Sequence, residues 1–156
     1  MILKAIKKFL YPLVHLYWRI FRPKTLGTRL FLINDNKILL VKHKYHNDLF
    51  LPGGGLHNGE EFVSALKREL KEELNLDIIE LELFGVYQNM KEYKMDTIVL
   101  FISFQEIDLK NISLIDEEIE LFMMADINNL PENISPGTKR RIEEFKLKKN
   151  PIVGKW

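Results

Sequence analysis

The chain of 156 residues contains no cysteine, so neither disulfides nor thiolate-held metals take part in its fold or chemistry. A reducing, cytoplasmic compartment is compatible with that absence. An excess of one charge is also missing. Against 23 lysines and arginines stand 22 aspartates and glutamates, which argues against a protein that holds nucleic acid through a broad electrostatic footprint. No stable nucleic-acid partner is therefore expected, while small phosphorylated ligands are not excluded. Long apolar runs are absent as well. Residues 1–22 come nearest, an amphipathic, basic and aromatic stretch broken by Pro12, His15 and Arg19, too charged for a spanning helix of about 20 apolar residues. No small-residue cleavage site follows it, as a signal peptide would require. Lys4, Lys7, Lys8, Arg19 and Arg22 with Trp18 suit a helix lying on a membrane surface, but packing on the domain or on a second subunit is the favoured reading. Dimerisation is compatible with the sequence, and this segment is the candidate interface. Internal repeats and low-complexity tracts are lacking too.

What is present suits one domain of ordinary size, at 46% hydrophobic residues. The expected organisation is an amphipathic N-terminal segment, residues 1–22, followed by a domain over residues 23–156 that ends in a helix. Residues 28–33 and 37–43 read as strands joined by the turn Asn34-Asp35-Asn36. Residues 49–52 form a short strand leading into Gly53-Gly54-Gly55. Residues 77–86 and 97–104 read as strands rich in apolar and β-branched residues, separated by a polar loop over 88–96. A further strand is expected over 120–124 and a short helical turn over 126–130. Ser135-Pro136 opens a last helix through about residue 147, with serine as N-cap and proline at the first helical position.

The stretch from Gly53 to Leu76 carries the chemistry. Read as a helix over residues 61–74, it places Glu69, Glu72 and Glu73 at i, i+3 and i+4, so the three carboxylates share one face. Such a cluster repels itself unless a cation neutralises it, and hard oxygen donors select Mg²⁺ or Mn²⁺ over softer metals. Val63, Leu66, Leu70 and Leu74 form a separate apolar stripe for docking on a sheet. Arg68 lies close enough to the glutamates to orient one of them. The glycines let backbone approach a metal or phosphate, and Asn75 stands where a left-handed cap is expected. An exposed helix laced with Glu-Lys pairs would explain the composition, but neither the glycines nor the segregation of acids from bases.

Gly54, five residues, Glu60, seven residues, then Arg68-Glu69-Leu70-Lys71-Glu72-Glu73-Leu74-Asn75-Leu76 resembles the Nudix box, G-x5-E-x7-R-E-U-x-E-E-x-G-U with U apolar. Every specified position agrees except Asn75, where the family has glycine. The resemblance covers residues 27–130. It implies an α/β fold, an α/β/α sandwich with a mixed β-sheet, to which residues 1–22 would add an N-terminal amphipathic helix. It also implies that Glu69, Glu72 and Glu73 bind Mg²⁺ or Mn²⁺, with the backbone carbonyl of Gly53. Arg68 would orient a metal-binding carboxylate, and Glu60 would play a supporting part.

The implied reaction is hydrolysis of a diphosphate linkage in a nucleoside diphosphate joined to another moiety. Nudix enzymes often add an acid from a late loop. In the acidic run at residues 116–120, Glu118 is the choice for a further ligand or base. The catalytic set is then Glu72, Glu69, Arg68 and Glu118. His43, His46 and His57 flank the expected pocket, while Tyr87, Gln88, Asn89 and Asp96 are candidates for a base or sugar pocket. Lys139-Arg140-Arg141 reads as a solvated face of the last helix. A Nudix-fold module that binds a nucleotide without turning it over is the alternative, and the complete acidic set speaks against it. Isomerisation of a prenyl diphosphate is disfavoured by the absence of cysteine.

Overall fold

A computed structural model describes residues 20, 24–91, 94–115, 117–149 and 151–156. Apart from Ile20, the helix expected over residues 1–22 lies outside them. The rest is a mixed sheet with one long helix on each face. The strands are β1 (Lys24–Asn34), β2 (Lys37–His43), β3 (Leu49–Phe50), β4 (Glu82–Lys91), β5 (Lys94–Ser103), β6 (Ile119–Asp126) and β7 (Ile152–Lys155). The helices are α1 (Phe62–Leu74) and α2 (Pro136–Lys146). The strands run in the order β3-β2-β1-β5-β4-β7, with β6 on β2; β1 and β5 are parallel, as are β4 and β7, and the other pairs are antiparallel. Among the described residues, no helix is long and apolar enough to cross a membrane.

The central strands are buried on both faces, which is why β1 reads as a nearly unbroken apolar run. Leu30 and Leu32 of β1 point to a core shared with Leu66, Leu70 and Leu74 of α1. Phe31 and Ile33 point the other way, to a core shared with Ile142 and Phe145 of α2. The hairpin between β1 and β2 turns through Asp35 (φ 47°) and Asn36 (φ 60°), the paired left-handed residues of a two-residue turn whose twist matches the strands. Only Ile33–Ile38 and Asn34–Lys37 pair across it. The strands then diverge, β1 to β5 and β2 to β6.

That divergence positions the glycines. The side of β1 left open is taken by residues 52–56: the Thr28 amide donates to Gly54 O at 2.9 Å, the Leu30 amide to Pro52 O at 3.0 Å, and the Leu56 amide to Leu26 O at 3.1 Å. The glycine segment is therefore stitched into the gap between the two strands, and α1 starts beyond it. Asn75 ends α1 in the left-handed conformation (φ 53°), its amide turned back on α1 carbonyls. Ser135 caps α2 by accepting from the Thr138 amide at 3.2 Å.

Several expectations change. The strand expected over 77–86 begins at Glu82, because the Gln105 side chain satisfies the backbone before it. Its Oε1 accepts from the Ile79 amide at 2.8 Å and its amide group donates to Asp77 O at 3.0 Å. The polar loop over 88–96 is largely strand: β4 and β5 continue as a ribbon with Gln88 opposite Thr97 and Asn89 opposite Asp96. A 3-10 turn occupies Leu109–Asn111, the helical turn expected over 126–130 is the end of β6 at Asp126 followed by a plain turn at 127–128, and β7 follows α2.

Val63, expected on the apolar stripe, is 39% exposed, while Ala65 and Glu73 lie inside the buried arc. Arg141 is not on a solvated face either; it is 1% exposed. Its guanidinium lies 3.9 Å from the centre of the Tyr87 ring, pairs with Glu144 at 2.7 Å and donates to Lys155 O at 3.1 Å. It thereby ties α2 to β4 and β7.

Candidate active site

Three neighbouring peptides, one helix and one strand end build the site. Gly53 has φ 121°, a conformation that L side chains rarely adopt, and a Cβ there would sit 2.5 Å from Thr28 O. Its amide donates to Glu73 Oε2 at 3.1 Å. A Cβ on Gly54 would occupy the place of the Glu69 carboxylate. Gly54 thus leaves room for Glu69 and the Gly53 amide holds Glu73, and both glutamates line a cavity of about 290 Å³. Its other walls come from His43, Tyr45, His46 and Phe50 on one side, with Arg29 and Glu118. The rings form a contiguous group: His43–Tyr45 centroids are 5.3 Å apart, Tyr45–His46 5.1 Å and His46–Phe50 5.3 Å.

Arg68 organises the carboxylates from the side. Nε and Nη2 each donate to one Glu60 oxygen at 2.9 Å, a two-pronged pairing. Nη2 also donates to Gly55 O at 2.9 Å, while Nη1 donates to Glu69 at 2.7 Å and to Glu72 at 3.2 Å. Glu60 in turn accepts from the His57 amide at 2.9 Å. The Arg68 hydrogen bonds first, and that amide second, hold the Glu60 carboxyl down at about 2. The same pairing raises the Arg68 pKa. Glu60 is therefore the anchor that fixes Arg68 between the glycine segment and α1.

The structure brings Gly53, Glu69, Glu73 and Glu118 to one cavity. Glu118 accepts from the Tyr45 hydroxyl at 3.2 Å. Glu72 stands apart as the exposed member, with 58% of its side-chain surface open, whereas Glu73 is only 5% exposed. The acidic face and the apolar stripe are thus not separate; they merge at Glu73. His43 and His46 line the cavity and His57 does not.

The candidates for a base or sugar pocket fall elsewhere. Tyr87 is in the core, its hydroxyl donating to Glu144 at 2.9 Å and its pKa raised by burial. Gln88 and Asn89 line a different cavity with Met90, Lys155 and Trp156. Asp96 accepts from Thr25 on the neighbouring strand. Sequence reasoning missed Arg29, Tyr45 and Phe50. Arg29 was signalled only as a lone charge entering an apolar run, and the two rings only by closeness in sequence to His43 and Gly53.

Comparison with known proteins decides the family. The NUDIX domain family matches residues 23–145, most of the chain. The chain belongs to the Nudix family. An ADP-ribose pyrophosphatase of Methanocaldococcus jannaschii is 33% identical over 103 residues, 63% of this chain and 59% of that protein. The matched stretch thus spans less than two thirds of that relative. Among solved structures, a MutT NUDIX hydrolase from Burkholderia pseudomallei superposes with TM-score 0.70 at 20% identity, covering 77% of this chain and 96% of the other. A MutT protein from Methanosarcina mazei Go1 gives TM-score 0.70 at 16% identity, with coverage of 83% and 98%. At these identities the two structures speak for the Nudix fold alone.

Nudix hydrolases generally use divalent metal ions. Among the described residues, no three carboxylate or imidazole groups converge closely enough to hold one as they stand. The donor chemistry nevertheless fits. Glu69 and Glu73, one helical turn apart, share a cavity with Glu118, and all are hard oxygen donors. Arg68 Nη1 occupies the place of a neutralising cation between Glu69 and Glu72. Those carboxylates would have to turn from it toward a metal.

Proposed function

We propose that this Nudix protein hydrolyses the diphosphate linkage of a nucleoside diphosphate joined to a second moiety, ADP-ribose being the first substrate to test. The reading is carried by one observation, the meeting of Glu69, Glu73 and Glu118 in a single cavity beside Gly53 and Gly54. Membership of the family and the likeness to an ADP-ribose pyrophosphatase support it.

Glu69, Glu72, Glu73 and the Gly53 carbonyl would hold Mg²⁺ or Mn²⁺, which neutralises diphosphate charge, polarises phosphorus and acidifies water. Arg68, anchored by Glu60, holds the cavity residue Glu69 and the more exposed Glu72 together through Nη1. Glu118, with the Tyr45 hydroxyl on it, is the candidate acceptor for the proton that the attacking water gives up. The water oxygen bonds to one phosphorus and the bridging oxygen leaves with the other, so the products are two phosphate monoesters. The domain over residues 23–156 would carry this chemistry, and residues 1–22 would serve packing or self-association.

The test is incubation of the full chain with Mg²⁺ or Mn²⁺ and ADP-ribose, alongside nucleotide sugars, dinucleoside polyphosphates and oxidised nucleoside triphosphates. Glu72→Gln serves as control. Release of AMP and ribose 5-phosphate by the wild type alone supports the proposal. Tight binding without turnover would favour the nucleotide-binding module instead.

A further inference from the structure

Arg29 is a cation built into the wall of the acidic cavity. It sits on β1 opposite Leu100 of β5, pressed against the glycine segment: its Cα would lie 3.1 Å from a Cβ on Gly53. The guanidinium donates through Nη1 to the carbonyl of its own neighbour, Thr28, at 2.9 Å, and forms no ion pair among the described residues. The carboxylates that act on its charge, Glu73 and Glu69, also accept hydrogen bonds, Glu73 from the Gly53 amide and Glu69 from Arg68. Burial works against its charge, so a fold that only needed to fill this place would do better with an apolar side chain. A guanidinium there keeps several N–H donors in a planar fork that matches phosphate oxygens.

We propose that Arg29 binds a non-bridging oxygen of the substrate's second phosphate, the one farther from the α1 glutamates, so that the cavity selects ligands with two adjacent phosphates. This deepens the hydrolase reading and rests on it for the placement of the first phosphate.

The experiment is calorimetry on the full chain with Mg²⁺, comparing α,β-methylene-ADP, which has two adjacent phosphates and an uncleavable bridge, with AMP, which has one. Arg29→Gln should weaken α,β-methylene-ADP by about 10–100-fold, as expected for loss of a charge-assisted hydrogen bond, and leave AMP within about twofold. Arg29→Lys should recover part of the loss, because it restores charge without the fork. A purely structural role would weaken both ligands alike and lower the melting temperature of the ligand-free protein. That outcome overturns the assignment, as does equal affinity of wild type and Arg29→Gln for α,β-methylene-ADP, or failure of the wild type to bind it. Turnover of ADP-ribose, measured in parallel, separates the two ideas. Wild-type turnover with an unchanged KM in Arg29→Gln refutes the role of Arg29 alone, whereas Arg29-dependent binding without turnover refutes hydrolysis alone.

Discussion

Gly53 and Gly54 are neighbours, yet alanine should damage them in opposite ways. At Gly54 the new Cβ meets the Glu69 carboxylate, the free end of a flexible side chain, so the glutamate turns aside and the backbone stays. A displaced rotamer costs about 0.5–1.5 kcal/mol, and for a chain of this size each kcal/mol lowers Tm by about 2–4 °C. Gly54→Ala should therefore melt within about 6 °C of wild type. Its chemistry should suffer more, because Glu69 leaves both the cavity and its 2.7 Å pairing with Arg68. Loss of such an orienting contact lowers metal affinity or activity by about 10–100-fold.

At Gly53 the Cβ would sit 2.5 Å from Thr28 O and 3.1 Å from the Arg29 Cα, at φ 121°. Those atoms belong to β1, which cannot retreat because it is paired with β5 from Lys24 to Leu32. Backbone strain alone is worth about 1–3 kcal/mol, and the collision adds to it. Gly53→Ala should lower Tm by at least about 6 °C. Thermal melts of both variants, with turnover measured against metal concentration, decide the matter. Wild-type metal dependence in Gly54→Ala, or a Gly54→Ala protein less stable than Gly53→Ala, would refute the reasoning.

Other outcomes follow from the same contacts. Glu72→Gln should lower turnover by about 100-fold or more, in the range for a group acting directly on the reacting centre, with Tm unchanged because the side chain is half exposed. Glu73→Gln should also lose turnover but cost about 1 kcal/mol, since Glu73 is buried and holds the Gly53 amide; equal melting of the two variants would contradict this. The folded Glu60 carboxyl sits at about 2 against an ordinary 4.5. Its contribution to stability is thus fully present above pH 4.5 and is lost as pH falls toward 2. Glu60→Gln should flatten that part of the acid-unfolding curve, and unchanged slopes would count against the Arg68–Glu60 anchor. Asn75→Val should cost about 1–2 kcal/mol, the penalty of a left-handed conformation for a branched side chain, whereas Asn75→Gly should melt within about 2 °C of wild type.

Features set by near neighbours were legible in the sequence. The Asp35-Asn36 turn, the Ser135 cap and the left-handed Asn75 each depend on a few adjacent residues, and each stands where the residues indicate. The spacing of Leu66, Leu70 and Leu74 was readable for the same reason. What sequence did not show depends on partners far along the chain. β7 is only four residues long, and it exists because it lies beside β4 and is clasped by Arg141 across α2. An arginine in a basic run has no local sign that it will be buried under two aromatic rings. Arg29 is the sharper case. β1 and β2 pair at only two residue pairs before parting, and residues 52–56 enter the space between them. That insertion sets the middle of β1, around Arg29, beside the glycine segment and the cavity that the α1 glutamates line. An alternating strand pattern assigns Arg29 to a face of the sheet, but only the splaying of the hairpin turns that position into part of a cavity. The box predicts where carboxylates stand on a helix; the cation that shares their cavity comes from a gap in the sheet, which no local spacing encodes.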